Sequence, residues 1–353
     1  MLGATNLRAP ELTVNNQKDV TAIGIGSAGI KIVSLLSRRT LFVDRFAYVS
    51  CDDGDFSTVE PKDTIHIESP VDQKLTPALV RGLALRFHPR IRDAVSGSGV
   101  VFVVAGLGGA TGSGLAPVVA LIARESGATV VGIAIMPFDF EKKTKFYAGV
   151  SLRRLRAATR GVVVIDNEVL LRSSPDDTTL ADIYDTANKA AVKALGSLLS
   201  KAAGGSRPVG LNKLLGTVLC DGYSLLGVSS SGSEDKAEDA LAGAVVSLGK
   251  LGDPKEATHA LVSMNADSTL TAREVGLVVD RVSSTTGNPG LGVEYGVDYS
   301  GSAQLQVSLL TSGFSSTKYD DYDPIARVLG DRVLDDEMDC ALSEGLEALQ
   351  CCD

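Results

Sequence analysis

Two glycine-rich stretches hold the residues whose types and spacing could do chemistry, GIGSAG at 24–29 and GLGGATGSG at 106–114. The first follows the apolar start of TAIGIG (21–26), the second a run from Val100 to Ala105, and both lead into apolar residues at helical spacing. Glycines let a backbone come close to a ligand, and successive N–H groups at a helix N-terminus form an anion cradle. A phosphate is the expected occupant. One such loop can be a mere tight turn; two at the carboxyl edge of one sheet argue for a ligand, because ligands bind at that edge.

The GxGxxG spacing at 24–29 also spells a dinucleotide fingerprint, which expects an acidic residue about twenty positions on, at the end of the second strand. Asp44 precedes the second predicted strand (Phe46–Val49) and Asp52 follows it, so on the first loop alone that reading stays open, but it leaves the longer second loop unexplained. Neither segment closes with GKS or GKT, so neither is a Walker phosphate loop.

The elements that must position these loops read as an alternation. A strand at 21–26 is followed by a helix over Ile30–Arg38, then strands Phe46–Val49 and Val100–Ala105, helix Leu115–Ser126, strand Thr129–Met136, helix Thr144–Thr159 and strand Val162–Ile165. This predicts an α/β fold with a doubly wound, mostly parallel sheet. Residues 178–203 are rich in Ala, Leu and Lys without Pro and predict one long central helix ended by Gly204-Gly205. Beyond it, helix Ala237–Leu251, strand His259–Asn265, helix Thr271–Ser283 and strands Leu291–Tyr299 and Ala303–Thr311, joined through Ser300-Gly301, predict a smaller α+β domain. The expected division is a flexible segment over 1–20, a nucleotide-binding domain over 21–177, the central helix over 178–205, the α+β domain over 206–318 and an acidic amphipathic tail over 319–353.

Bulk properties remove other classes. With 353 residues and 44% hydrophobic content the chain can build two cores. A net charge of −9 argues against general nucleic-acid binding, and the basic run Arg153, Arg154, Arg156 and Arg160 reads as a solvated helix face. Five scattered cysteines (Cys51, Cys220, Cys340, Cys351, Cys352) without a CxxC pair imply neither a zinc site nor a disulfide framework, so a reducing cytoplasm is the expected compartment. The N-terminal segment has no signal-peptide pattern, and no apolar run reaches the roughly 20 residues of a membrane span.

The segment GLGGATGSGLAPVVA resembles the signature loop of the FtsZ/tubulin family, GGGTGTG followed by a small-residue helix start. MPFDFE (136–141) resembles the family's PFxFE segment, VVVIDNEVLL (162–171) its IPND-LL segment, and YDTAN (184–188) its FxxAN on the central helix. GYSLLGVSSSGSEDKAEDA, LTAREV (270–275) and TSGF (311–314) extend the likeness to about residue 315, toward FtsZ rather than eukaryotic tubulin. The resemblance implies GTP or GDP as ligand, with Mg2+ as companion of the phosphates. Gly24, Gly26, Ser27, Ala28 and Gly29 of the first loop and Gly108, Gly109, Ala110, Thr111, Gly112 and Ser113 of the second would hold the nucleotide's phosphates. Glu141 would accept from the ribose, Asn167 would bond ribose or base, Tyr184 would stack on guanine and Asn188 would read its edge.

The departures are as specific. Lys31 stands where the family's first loop places a guanine-contacting Asn, Lys189 replaces the Asp after Asn188, and Lys145 replaces the expected Arg, keeping charge without the forked geometry. The AGxNP loop has no counterpart between Gln73 and Gly97. The family completes hydrolysis across a subunit contact with an acidic NxDxxD synergy loop, yet here Ser206 to Cys220 contains no Asp or Glu. The expectation is a protein that binds nucleotide, hydrolyses it slowly or not at all, and assembles head-to-tail into filaments in cell division or shape control, with Asn212, Leu214 and Leu215 at the polymer interface or, for the leucines, equally within the monomer core. A non-polymerising regulator that co-assembles with or caps an active FtsZ is the alternative. An FtsZ paralogue or a membrane anchor protein is the expected partner, the latter through the amphipathic stretch from Asp331; Cys351-Cys352 fits a prenylation box poorly.

Overall fold

Strand β4 (Ser98–Gly106) shows how the sequence makes the core: Val101, Val103 and Ala105 enter one buried cluster, while Val100, Phe102 and Val104 enter another on the opposite face. A strand buried on both faces needs apolar residues at every position, which is what a central parallel strand requires. The computed structural model describes residues 19–69, 74–170, 179–202, 206–299 and 304–322. Predicted features at 1–18, at Gly204-Gly205, at Ser300-Gly301 and in the tail beyond 322 lie outside them.

The elements follow as β1 (Asp19–Ile25), α1 (Gly26–Leu36), β2 (Arg45–Ser50), β3 (Thr64–His66), α2 (Pro77–Ala84), α3 (His88–Val95), β4, α4 (Ala110–Glu125), β5 (Thr129–Met136), α5 (Lys142–Ala158), β6 (Gly161–Asp166) and α6 (Asn167–Leu170). The second half adds α7 (Leu180–Leu199), α8 (Leu211–Val218), β7 (Tyr223–Ser231), α9 (Lys236–Gly249), β8 (His259–Ala266), α10 (Ala272–Thr286), β9 (Gly292–Tyr299) and β10 (Leu305–Phe314). One sheet runs through the molecule in the order β3-β2-β1-β4-β5-β6-β7-β10-β8-β9. The strands from β3 to β7 are parallel, and β10 opposes both its neighbours. The β6–β7 ladder is short, pairing Val163 with Ser224 and Val164 with Leu225.

The α/β sheet is as expected, and most elements fall within a few residues of their predicted positions. Three features differ. Strands β9 and β10 do not pair, because β8 lies between them, parallel to β9 and antiparallel to β10. Residues 77–95 form two short helices, of which α2 is capped by the Thr76 hydroxyl on the Leu79 amide and opens with Pro77. The central helix ends at Leu199, where Ser200 turns extended and bridges to Leu41, before the glycine pair that was expected to stop it.

Topology places the two glycine loops side by side. From β1 the chain steps to β2 and β3 on one side, then returns to β4 on the other, so the carboxyl ends of β1 and β4 are neighbours, with Ile25 opposite Ala105. Helix α1 packs into the cluster on one face and α4 into the cluster on the other. A sheet whose helices part in this way opens a crevice at the switch point, where α/β proteins bind ligands.

Candidate nucleotide site

Helix α1 begins directly on Gly26, whose φ of +64° only glycine adopts without strain. Its N-cap is Ile25 and that of α4 is Gly109; neither supplies a side-chain cap, and neither helix has an acidic residue in its first turn. The first N–H groups of both helices are therefore left without side-chain acceptors, and both macrodipoles turn their positive ends to the same crevice. By contrast, α7 and α10 are capped by Thr179 and Thr271, the latter in a full capping box with Glu274.

Close packing brings the two helix starts together. A Cβ at Gly29 would lie 2.3 Å from the Val104 carbonyl oxygen, and one at Gly112 would lie 2.1 Å from that of Gly106. Gly26 abuts Thr111 and the Gly112 amide. Within the second loop, Gly108 and Ser113 turn inward: the Gly108 N–H donates to Ser113 Oγ at 2.8 Å, and Ser113 is fully buried. Gly109, Ala110 and Thr111 remain on the accessible side. The loop thus divides into a pair that sets its shape and a trio left accessible. Behind it lies Cys51, which sequence reasoning passed over; burial pushes its thiol up, against a hydrogen bond with the Thr111 side chain. On the first loop Gly24, Gly26 and Gly29 are buried and Ser27 is exposed, with Lys31 one turn on and also exposed.

A second group gathers beside this cradle. Tyr184 on α7 donates its hydroxyl to Glu141 Oε1 at 2.8 Å, and Glu141 Oε2 accepts the Phe138 N–H at 2.8 Å. The Phe138 ring meets Tyr184 edge-on at 5.3 Å and stacks on Phe140 at 5.2 Å. Burial, then the Glu141 carboxylate, push the Tyr184 phenol up to about 12. Asn167 opens α6 and is half-buried, Asn188 is buried on α7, and Lys189 pairs with Asp185 one turn before it. Gly108 touches Thr144, whose hydroxyl donates to the Glu141 carbonyl, which links the cradle to this aromatic and acidic group.

Lys145, expected among the nucleotide-binding residues in place of an Arg, is engaged by two side chains of the protein itself. Its ammonium donates to Asp139 Oδ1 at 2.7 Å and to the Tyr322 hydroxyl at 3.2 Å. Burial opposes its charge, but these two bonds outweigh that and hold the ammonium above the usual lysine range, while the Lys145 bond holds Asp139 below the usual carboxylate range. Of the two places open to Leu214 and Leu215, they take the monomer core. Leu214 and Leu215 are 3% and 2% exposed, packed in the core from the inner stripe of α8, which leaves Asn212 and Lys213 on its outer side. Lys213 pairs with Glu294 at 2.8 Å.

Comparison with known proteins now adds to the geometry. Residues 76–175 match the description "Tubulin/FtsZ family, GTPase domain". The cell division protein FtsZ of Buchnera aphidicola subsp. Schizaphis graminum is 28% identical over 318 residues, which are 87% of this chain and 82% of that one. The chain is similar to tubulin/FtsZ family proteins over most of its length. A second Buchnera aphidicola FtsZ (subsp. Acyrthosiphon pisum) is 30% identical over 64% of this chain and 61% of its own. Among solved structures, the FtsZ dimer of M. jannaschii superposes with a TM-score of 0.74 at 26% identity, covering 84% of this chain and 88% of that one. CetZ2 from Haloferax volcanii, solved as a GTPgS-bound protofilament, shares the fold with a TM-score of 0.68 at 24% identity, over 88% of this chain and 98% of its own. No helix among the described residues is long and apolar enough to cross a membrane, and no group of three or more His, Cys, Asp or Glu side chains among them could hold a metal.

Proposed function

We propose that the chain binds a guanine nucleotide at the β1/β4 switch point and assembles head-to-tail into filaments, with weak or absent hydrolysis. The observation that carries this reading is the meeting of two helix N-termini without side-chain caps, those of α1 and α4, at one crevice. Gly109, Ala110 and Thr111 receive the phosphates, Glu141 and Asn167 the ribose, and Tyr184 and Asn188 the base. The described residues offer no metal cage, so any Mg2+ is held through the nucleotide's phosphates rather than by a dedicated protein site. The similar M. jannaschii FtsZ solved as a dimer, and the CetZ2 of like fold solved as a protofilament, support assembly. A subunit contact between unlike surfaces does not close on itself and extends as a filament.

The case for slow hydrolysis lies in what α8 and the segment before it present. Between Ser206 and Cys220 no carboxylate is available to polarise a water on a neighbouring subunit's nucleotide, and the outer side of α8 carries Asn212 and Lys213 instead. Removing a general base typically costs about 100-fold to 10,000-fold in rate. Pelleting and negative-stain microscopy with GTP, GDP or no nucleotide, with phosphate measured in the same tubes, test both parts. Filaments with little phosphate release are expected. Steady multiple turnover by the pure chain would refute the slow-hydrolysis part, and absence of filaments under every condition would favour the capping regulator.

A further inference from the structure

A polar circuit lies beside the glycine loops and joins the last described residues to the turn that carries Asn167. Asp166 closes β6 and is fully buried. Its Oδ1 accepts the Glu168 N–H at 2.9 Å, and its Oδ2 meets the ammonium of Lys318. Glu168 Oε1 accepts the Asp139 N–H at 2.8 Å, Asp139 holds Lys145, and Lys145 reaches the Tyr322 hydroxyl. The circuit therefore begins at Lys318 and ends at Tyr322, in a segment that follows β10.

That segment is itself fixed. The Lys318 N–H donates to the Leu251 carbonyl at 3.0 Å, Asp320 accepts from the Thr317 amide and hydroxyl, and the Lys318 ammonium lies 5.0 Å from the Tyr319 ring centroid. Tyr319 is 1% exposed, its hydroxyl beside Asp166 without a well-formed hydrogen bond. An end of a buried strand needs no carboxylate, and a buried charge is costly unless paired. What the carboxylate does is hold a backbone amide on one oxygen and a distant lysine on the other.

We propose that Lys318 and Tyr322 are positioning residues for the ribose and base end of the nucleotide site: through Asp166 and Glu168 they set the turn bearing Asn167, and through Lys145 and Asp139 the loop bearing Glu141. The proposal rests on the nucleotide reading above. It makes the ribose end, rather than the phosphate cradle, answerable to the part of the chain beyond β10. None of the circuit's bonds touches Gly109, Ala110 or Thr111, so the two ends of the site separate experimentally.

The test uses the full chain as wild type, Lys318→Met, Lys318→Arg, Tyr322→Phe and the double variant Asp166→Asn with Lys318→Met, which strands no buried charge. Binding of GDP and of inorganic tripolyphosphate is measured beside amide hydrogen exchange over 138–141 and 166–170 without nucleotide. The expected result for Lys318→Met and the double variant is faster exchange in both segments and GDP affinity lowered about fivefold or more, within the usual range of coupling between separate sites. Tripolyphosphate affinity stays unchanged, Tyr322→Phe loosens 138–141 more than 166–170, and Lys318→Arg retains wild-type values. Equal losses for GDP and tripolyphosphate, or unaltered exchange in both segments, overturn the proposal. If the wild type binds no guanine nucleotide, the nucleotide reading is what fails, and the exchange result alone decides the positioning role.

Discussion

The Tyr184 hydroxyl donates to Glu141 Oε1 at 2.8 Å across 43 residues of sequence, tying the central helix α7 to the loop after β5. The same carboxylate takes the Phe138 amide on its other oxygen, so Glu141 is held at both ends. A carboxylate fixed in this way keeps its spare lone pairs aimed and can serve a sugar hydroxyl without reorganising.

That bond has a pH signature. Tyr184 titrates at about 12 in the folded chain against 10 as its ordinary value, so the folded state favours the protonated phenol. Its contribution to stability is complete below pH 10 and is lost as the pH rises toward 12. The stability difference between wild type and Tyr184→Phe, from urea midpoints, should shrink over that interval; a difference that stays constant would show the phenol is not perturbed.

Gly112→Ala should damage the site and the fold together. Its Cβ would stand 2.1 Å from the Gly106 carbonyl, backbone that cannot rotate away. The expected loss is about 1 to 3 kcal/mol, as for overpacking in a tight core. Chemical denaturation measures it, and nucleotide affinity should fall with it. Gly109→Ala has nothing within 4 Å of its Cβ and should fold normally.

Leu214→Ala should cost the monomer roughly 2 to 5 kcal/mol, because the side chain sits in the apolar layer with Phe102, Leu195 and Leu310. Asn212→Ala, on the exposed side of the same helix, should leave the melting temperature unchanged while lowering filament yield. If Asn212→Ala pellets like wild type, this face of α8 is not the contact.

Breaking the Lys318–Asp166 pair from one side leaves a carboxylate with 0% exposure. Lys318→Met should therefore destabilise by roughly 3 kcal/mol, the low end for buried pairs since Lys318 is 26% exposed. Asp166→Asn on top of it should recover part of the loss. Thermal denaturation of the two variants in parallel gives the comparison, and no recovery would mean the carboxylate's charge is not what the lysine compensates.

How much could be read in advance depends on how local each cause is. Glycine followed by helical spacing after an apolar run locates both loops and the helices behind them, although α1 and α4 begin within the glycine stretches, at Gly26 and Ala110, ahead of the apolar residues Ile30 and Leu115 that announce them. The orientation of Leu214 is equally local in principle, since α8 buries Leu214, Leu215 and Val218 at helical spacing, but eight residues make a weak pattern. Helices α2 and α3 are short and contain Arg and Pro, which hid them. The placement of β8 between β9 and β10 is a tertiary fact that strand alternation cannot carry. Least legible was the engagement of Lys145: its partner Tyr322 lies 177 residues away, and the Lys318–Asp166 contact spans 152. No spacing rule reaches that far.

The proposed function stands on a guanine nucleotide held by its phosphates at the α1/α4 crevice. Equilibrium binding of a fluorescent GDP analogue to the purified chain, with unlabelled GDP, GTP, ATP and NADH as competitors, tests it most directly. One site per chain is expected, with the analogue displaced by GDP and GTP, unaffected by NADH, and binding lost in Gly112→Ala. No saturable binding, or displacement by NADH in preference to GDP, would contradict it.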